Sequence, residues 1–150
     1  MKKILLILCL FLLVGCGKAA NKVYSLTLNN KTFYLGEEYT KEKYGESIGY
    51  SEVSSCAFEG LDKTYKYDHY EVTTYPVDGK DKVYLIYFLD DEISTTEGLK
   101  LSDSYNDMIS KYGEKYKKEG NLYTYTLGKT NLNIIVENGF VTSIEYAHEI

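Results

Sequence analysis

The thiol of Cys16 ends an apolar run that starts close to the first residue. The run covers residues 4–14, follows a Lys-Lys pair, and is separated from the cysteine by the small residue Gly15. A basic start, a short apolar stretch and a small residue at its end are typical of an export signal. A buried helix or a membrane span is the alternative, but a span needs about 20 apolar residues. The run has only eleven, so we expect residues 1–15 to be a signal peptide.

The sequence Leu13-Val14-Gly15-Cys16 resembles the lipobox of bacterial lipoproteins. The resemblance implies cleavage after Gly15, a diacylglyceryl thioether on Cys16, and a mature chain that begins with this lipidated residue. Two or more acyl chains hold a protein stably on a membrane, whereas one chain does so only marginally. Residues 16–22 are then the lipidated cysteine and a short tether, and the rest of the chain lies on the extracytoplasmic face of the cell membrane.

Charge and composition limit the possible partners. Removal of residues 1–15 takes away two lysines and leaves 15 against 22 acidic residues, a formal charge of −7. A chain of this charge does not attract nucleic acid or anionic lipid headgroups. We therefore expect no nucleic-acid partner, and membrane attachment through the acyl chains alone.

The remaining reactive side chains form no catalytic or metal-binding pattern. Cys56 is the only thiol outside the leader and the lipobox, and the following Ala-Phe pair favours burial as a small apolar side chain over a nucleophile or a mixed-disulfide partner. His69 and His148 lack zinc-binding spacing. The acidic clusters flanking one predicted strand lie roughly 23 Å apart and lack EF-hand spacing. These acidic residues are Asp78, Asp81, Asp90, Asp91 and Glu92. We expect no enzymatic activity, no metal and no cofactor.

Helix signals occur twice after the tether. In the second copy, residues 102–104 (Ser-Asp-Ser) offer N-cap oxygens, apolar residues recur at helical spacing over 105–112, and Gly113 stands at a C-cap position. In the first copy, residues 35–45 predict a helix that ends in the same Lys-Tyr-Gly-Glu sequence as the second. Repetition of this kind indicates two copies of one unit.

Three β-rich stretches follow each predicted helix. They are Thr64–Tyr67, Tyr70–Tyr75 and Val83–Leu89, then Leu122–Leu127, Leu132–Val136 and Phe140–Ala147. Asp78-Gly79 and Asn138-Gly139 separate the second and third strands, and such pairs favour tight hairpins because Gly accepts a positive φ. The sequence thus predicts an α+β fold, a tandem repeat over 23–97 and 98–150. Each copy is a short helix followed by a three-stranded antiparallel meander, with the helices on one face of the sheet.

Alignment of the copies on their turn glycines predicts which side chains share a sheet face, because side chains alternate along a strand. Ile144 and Tyr146 are predicted to lie on the buried face of the last strand, while Ser143 and Glu145 are predicted to lie on the more solvent-exposed face. The same alternation places four large side chains on the more solvent-exposed face. They are Tyr75, Leu85, Tyr87 and Ile135. Two interpretations remain open, namely core side chains beneath a loop such as 46–61, or a partner-binding surface.

Several short segments carry resemblances to known families. Residues 98–105 (Gly-Leu-Lys-Leu-Ser-Asp-Ser-Tyr) with Lys111-Tyr112-Gly113, and a degenerate copy at 35–45, resemble the β-lactamase inhibitor protein-like fold. The layout is also similar to that of small lipoproteins that help to assemble outer-membrane proteins. Residues 60–67, together with 78–81 and 95–98, are similar to uncharacterised lipoproteins of anaerobic Gram-positive bacteria. The resemblance to the β-lactamase inhibitor protein-like fold implies a concave sheet surface that binds a protein, without implying β-lactamase as the target.

The leading hypothesis is a membrane-anchored extracytoplasmic lipoprotein that acts as a non-catalytic protein-binding module through this Tyr-rich face. An envelope ligand sensor or carbohydrate-binding lipoprotein is the alternative, and it would use the same aromatic side chains. A structural lipoprotein without a dedicated ligand is a third hypothesis. Tyrosine suits the first two because it buries a large ring and keeps a hydroxyl group for hydrogen bonding.

Overall fold

Antiparallel β-strands make up about half of the chain that the computed structural model describes, which is residues 22–149. The strands are β1 (Ser25–Leu28), β2 (Lys31–Tyr34), β3 (Gly49–Ser54), β4 (Leu61–Lys66), β5 (Tyr70–Val77), β6 (Lys80–Phe88), β7 (Lys117–Glu119), β8 (Leu122–Leu127), β9 (Thr130–Glu137) and β10 (Phe140–His148). The helices are α1 (Lys41–Tyr44) and α2 (Tyr105–Tyr112). The predicted signal peptide, Cys16 and the tether up to residue 21 lie outside the described residues.

The strands form two sheets of unequal size. Strands β1 and β2 pair as a hairpin, and the other eight form one antiparallel sheet in the order β3-β4-β5-β6-β10-β9-β8-β7. Strands β6 and β10 meet at the centre, where three register pairs join them. Strands β3 to β6 lie side by side in chain order, and so do β7 to β10. The pairing of β6 with β10 joins these two groups into one sheet.

The predicted α+β tandem repeat is wrong. The described chain is predominantly β and contains two short helices and one continuous eight-stranded sheet, not two units of a helix and a three-stranded meander. The helix predicted over 35–45 is reduced to α1 because the preceding segment runs beside β6. The Gly36 amide donates to the Val83 carbonyl at 2.7 Å, and the Val83 amide donates to the Glu37 carbonyl at 2.8 Å. Tertiary pairing therefore overrides the local helix signal.

Helix α2 forms where the sequence predicts it. Ser104 is the N-cap: its hydroxyl oxygen accepts from the Asp107 amide at 3.1 Å, and the Asp107 carboxylate accepts from the Ser104 amide at 3.0 Å. This reciprocal pair is a capping box, which satisfies amide groups that the first helical turn leaves free. Gly113 ends the helix with φ +77°.

Both predicted Asx-Gly hairpins are present. Asp78 and Gly79 have φ values of 52° and 73° between β5 and β6, and Asn138 and Gly139 have 52° and 84° between β9 and β10. Positive φ at both central residues is the type I′ geometry, whose twist matches that of the flanking strands. These turns fix the register of the strand pairs on either side of the sheet centre.

The core covers one face of the large sheet. Its fully buried apolar side chains on the central strands are Val72, Val83, Ile86, Phe88, Leu132, Ile134, Val141, Ile144 and Tyr146. Helix α1 adds Tyr44, helix α2 adds Met108, and the β1–β2 hairpin adds Leu26 and Phe33. Within residues 22–149, neither helix has the length and apolar composition that crossing a bilayer requires.

Candidate functional site

The four side chains predicted to bind a partner lie on the sheet face opposite the core. Tyr75 in β5, Leu85 and Tyr87 in β6, and Ile135 in β9 are each half-buried, while most residues that alternate with them on these strands are buried. We call this surface the open face. Its residues on the four central strands include Glu71, Thr73, Tyr75, Lys82, Leu85, Tyr87, Asn131, Asn133, Ile135, Ser143, Glu145 and Ala147.

Tyr75 is set apart from the other three by the loop that follows β3. The Phe58 ring stacks on the Tyr75 ring with centroids 4.9 Å apart, and the Tyr84 ring packs edge-on at 6.0 Å. Burial raises the pKa of the Tyr75 hydroxyl. Tyr75 is therefore a packing residue beneath the loop at 55–60.

Leu85 and Tyr87 occupy the centre of the open face. Tyr87 lies opposite Glu71 in β5 and opposite Glu145 in β10, while Leu85 lies opposite Ala147. Residues directly opposite each other on antiparallel strands have Cβ atoms about 5 Å apart. The Tyr87 ring is thus flanked on both sides by a carboxylate-bearing residue, and its hydroxyl makes no hydrogen bond within the described chain.

A line of paired residues crosses the sheet through Tyr87, and we call it the central row. Its members, in order from β4 to β8, are Lys66, Glu71, Tyr87, Glu145, Asn133 and Thr124. The Asn133 side-chain amide donates to Glu145 Oε1 at 3.0 Å, and the Thr124 hydroxyl donates to Asn133 Oδ1 at 3.0 Å. Lys66 Nζ lies 3.9 Å from Glu71 Oε1. These contacts hold Glu145 firmly and Glu71 more loosely beside the tyrosine.

Ile135 belongs to the same face but not to the same cluster. It pairs with Ser143 in β10 and with Leu122 in β8. Strands lie about 4.8 Å apart, so two strand spacings put Ile135 roughly 10 Å from Tyr87 before any offset along the strand is added. Of the four predicted residues, the structure brings together Leu85 and Tyr87, places Ile135 at the margin and covers Tyr75.

The predicted binding residues were chosen for their large apolar or aromatic side chains, so the polar members of the central row were missed. Glu71, Asn133 and Glu145 define the surroundings of Tyr87, yet none was a predicted site residue. The period-two spacing of Asn131 with Asn133, and of Ser143 with Glu145, was the available signal, since it marks a polar sheet face. Which residues lie opposite one another across β6 and β10 could be known only from the register of the folded sheet.

The other candidate reactive groups take separate positions. Cys56 is exposed in the loop after β3, so the expectation that it is buried is wrong. The loop lies beyond the end of β3, outside the core. His69 pairs with Asp90 at 2.9 Å, and His148 lies at the end of β10. Residues 22–149 hold no group of three or more His, Cys, Asp or Glu side chains arranged to bind a metal ion.

No family model, no curated protein and no solved structure matches this chain.

The chemical character of the open face follows from the residues around Tyr87. The face offers an aromatic ring with carboxylates on both sides, in half-exposed positions. An aromatic ring attracts a cation over its face, and a carboxylate accepts charge-assisted hydrogen bonds from Lys or Arg. The arrangement suits a cationic group that lies over Tyr87.

Proposed function

We propose that this chain is a membrane-anchored extracytoplasmic lipoprotein that acts as a non-catalytic binding module, and that its open face holds a Lys- or Arg-rich segment of a protein partner. The observation that supports this proposal is the position of Tyr87 between Glu71 and Glu145 at the centre of the sheet. Residues 1–15 supply the export signal and Cys16 the lipid anchor. The acyl chains keep the sheet at the membrane surface, where a partner in the cell envelope can reach it.

The chemistry of the face sets the expected strength of binding. An exposed cation–π contact contributes about 0.5–1 kcal/mol, and an exposed ion pair contributes about 0–1 kcal/mol. Several such contacts are needed, so the partner segment carries more than one basic residue. Since exposed charges are screened by salt, the affinity falls as ionic strength rises. The net negative charge of the chain also speeds the approach of a basic partner.

The proposal is tested by crosslinking in the membrane. A photoreactive residue replaces Tyr87 in the full chain, and a second variant carries it at Tyr50 as a control. Tyr50 is 54% exposed and donates a hydrogen bond to the Glu52 carboxylate, but it lies on the other face of the sheet, opposite Tyr65. We expect one dominant crosslinked protein at position 87 and none at position 50. Mass spectrometry should place the crosslink in a peptide that contains several Lys or Arg residues.

Removal of the flanking charges tests the role of the carboxylates. Glu71→Gln with Glu145→Gln keeps the size of both side chains and should reduce crosslinking at position 87 about tenfold, as should high salt. Glu52→Gln removes a carboxylate from the other face and should leave crosslinking unchanged. Equal crosslinking at positions 50 and 87, or crosslinking that survives both the double substitution and high salt, contradicts the proposal.

The alternative of an envelope ligand sensor has support of its own. The described chain also has a cavity that none of the central-row residues lines. A concave site with aromatic walls and a few polar groups is typical of small-molecule binding. This second site does not depend on the open face.

A further inference from the structure

A cavity of about 570 Å³ opens between the β1–β2 hairpin, α1, the β4–β5 turn and the loop that follows β6. Ligand-binding cavities commonly have volumes of about 300–1,000 Å³. The open face contributes none of its central residues to the lining. The cavity is therefore a site separate from that of the proposed function.

Four aromatic rings line the cavity together with the aliphatic side chains of Leu28 and Ile93. The centroids of Phe33 and Tyr44 are 4.5 Å apart, those of Tyr67 and Tyr70 are 4.8 Å apart, and those of Phe33 and Tyr70 are 6.2 Å apart. Each of the four residues is at most 9% exposed, so the rings are held by the core and do not need to rearrange around a ligand. They provide a rigid apolar floor.

Two of the three phenol groups in this floor are already hydrogen-bonded within the protein. The Tyr44 hydroxyl donates to Glu37 Oε1 at 2.7 Å, and the hydroxyls of Tyr67 and Tyr39 lie 2.8 Å apart. The Tyr70 hydroxyl has no such partner among residues 22–149. Burial raises the pKa of Tyr70 to about 12, and the protonated hydroxyl can donate a hydrogen bond to a ligand in the cavity.

Amino groups enter the lining from the hairpin and from α1. Lys43 Nζ is held by Glu37 Oε2 at 2.6 Å. Lys31 Nζ has only a long contact of 3.4 Å to the Lys43 carbonyl, and its side chain is exposed. The ammonium group of Lys31 is the positive charge that remains available to a ligand.

Carboxylates enter the lining from other elements. Asp68 lies in the β4–β5 turn and Glu92 in the loop after β6, and both are exposed. Within the described part of the chain, neither carboxylate has an ion pair or a side-chain hydrogen bond, whereas His69 between them is paired with Asp90. The cavity thus carries an available ammonium group on one set of elements and two available carboxylates on another.

We propose that this cavity binds a small zwitterion with an apolar side chain, such as an amino acid or a short peptide. The ligand carboxylate pairs with Lys31 and the ligand ammonium group with Asp68 and Glu92, while the apolar side chain lies on the aromatic floor. A simple anion would leave both protein carboxylates without a partner, and a simple cation would leave Lys31 without one. A ligand with both charges satisfies both sides, and charge-assisted hydrogen bonds of this kind are the stronger class.

Calorimetry with three related peptides tests the proposal on the full chain in detergent micelles. The probes are the dipeptide alanyl-phenylalanine, its N-acetyl form without the ammonium group, and its C-terminal amide without the carboxylate. A hydrogen bond to a charged group contributes about 1.5–3 kcal/mol, which corresponds to at least about tenfold in affinity. We expect saturable binding of the dipeptide and binding at least about tenfold weaker for each capped form. Absence of saturable binding up to about 10 mM overturns the proposal.

Substitutions assign each charge to its partner. Lys31→Ala should weaken binding of the free dipeptide about tenfold and leave the weaker binding of the amide unchanged, because the amide has no carboxylate to lose. Glu92→Gln should weaken the free dipeptide and leave the N-acetyl form unchanged. Lys80→Ala removes an exposed lysine paired with Glu38, away from the cavity, and is the matched control. Equal losses for all three peptides, or a loss with the control, contradict the assignment.

The two proposals can fail independently. Lys31→Ala should leave crosslinking at position 87 unchanged, because Lys31 lies on the hairpin and not in the large sheet. Glu145→Gln should leave dipeptide binding unchanged for the corresponding reason. If one variant disrupts both activities, its thermal midpoint identifies unfolding as the cause, and Lys31→Gln, which keeps most of the lysine stem, then repeats the test.

Discussion

Glu145 lies directly opposite Tyr87 where β10 pairs with β6 at the centre of the large sheet. The next register pair joins Tyr146 to Ile86, and both of these residues are fully buried. Successive residues on the same two strands therefore serve different faces, with the proposed binding residues on one side and the core on the other. Since only three pairs join β6 to β10, the buried residues at this pairing hold together the two halves of the sheet.

Substitution of adjacent residues in β6 should separate stability from binding. Ile86→Ala removes a fully buried side chain and should lower the free energy of unfolding by about 2–5 kcal/mol. Tyr87→Ala changes a half-exposed residue and should lower it by less than about 1 kcal/mol. Urea denaturation measures both. A loss at position 87 as large as that at position 86 would place Tyr87 in the core and remove the basis for the binding proposal.

Local signals in the sequence were sufficient to predict the elements whose conformation is set by residues close together in the chain. The hairpins at Asp78-Gly79 and Asn138-Gly139 follow from residues that accept positive φ, and α2 follows from Ser104 and the helical spacing after it. All six predicted strands are present because their apolar residues alternate, but β4 and β6 begin at Leu61 and Lys80, three residues before the predicted starts. The buried positions of Ile144 and Tyr146 were also correctly predicted.

The remaining elements lack such signals. Strand β3 is an edge strand with most of its side chains exposed, and β7 consists of three exposed charged residues, so neither shows alternation. The segment at 36–39 has helix-forming residues but bonds to β6 instead. The cavity brings the hairpin and α1 together with the β4–β5 turn and the loop after β6, which are distant from them in the sequence, so its charge arrangement could be recognised only after folding.

Alanine at position 36 should be more destabilising than alanine at another glycine of similar φ. Gly36 has φ +80°, and a Cβ there would lie 3.0 Å from Nε2 of His148. Gly79 has φ +73° in the β5–β6 turn, where a Cβ would meet no atom within 4 Å. Both substitutions carry the cost of left-handed backbone, about 1–2 kcal/mol, but only Gly36→Ala adds a steric conflict. Thermal denaturation of the two variants measures the difference.

A double substitution tests the cause of that difference. His148→Ala removes the ring that position 36 would contact, so it should recover part of the stability lost in Gly36→Ala. It should give no recovery when combined with Gly79→Ala, because His148 does not approach that turn. Equal losses in Gly36→Ala and Gly79→Ala would show that backbone strain alone is responsible.

The N-cap of α2 should make a measurable contribution to stability. Ser104→Ala removes the hydroxyl that accepts from the Asp107 amide and should lower the free energy of unfolding by about 1 kcal/mol. Ser110→Ala changes an exposed serine inside the same helix and should be neutral or slightly stabilising, because alanine is the better helix former. Chemical denaturation distinguishes the two. Equal effects would mean that the capping box does not stabilise the folded state.

Cys56 should react with a maleimide in the folded protein. The residue is exposed, so its labelling rate should be similar in buffer and in about 6 M urea, where most domains of this size are unfolded. Mass spectrometry of the intact chain follows the reaction, and Cys56→Ser is the control for labelling elsewhere. A rate that rises by about 100-fold on unfolding would show that the loop at 55–60 covers the thiol.

The contact between His69 and Asp90 should make stability depend on pH in a defined direction. The hydrogen bond with Asp90 raises the pKa of His69, and the same bond lowers the pKa of Asp90. Asp68 and Glu92 also face His69 and raise its pKa further. The histidine contribution is therefore complete below its unfolded pKa of about 6.5 and is lost as pH rises through the higher folded pKa. The aspartate contribution is complete above about pH 3.9 and is lost as pH falls through the lower folded pKa.

The pair should thus stabilise the fold most between about pH 4 and pH 6.5. His69→Gln should lower the thermal midpoint near pH 5.5, and the difference from the unsubstituted chain should disappear near pH 9, where the histidine is neutral in both states. Because both side chains are partly exposed, the shift is small, and salt should reduce it. Asp90→Asn should give the same profile, and the double variant should lose no more than either single variant, because each substitution already removes the pair. A difference of equal size at both pH values would instead show that His69 acts by packing in the cavity lining.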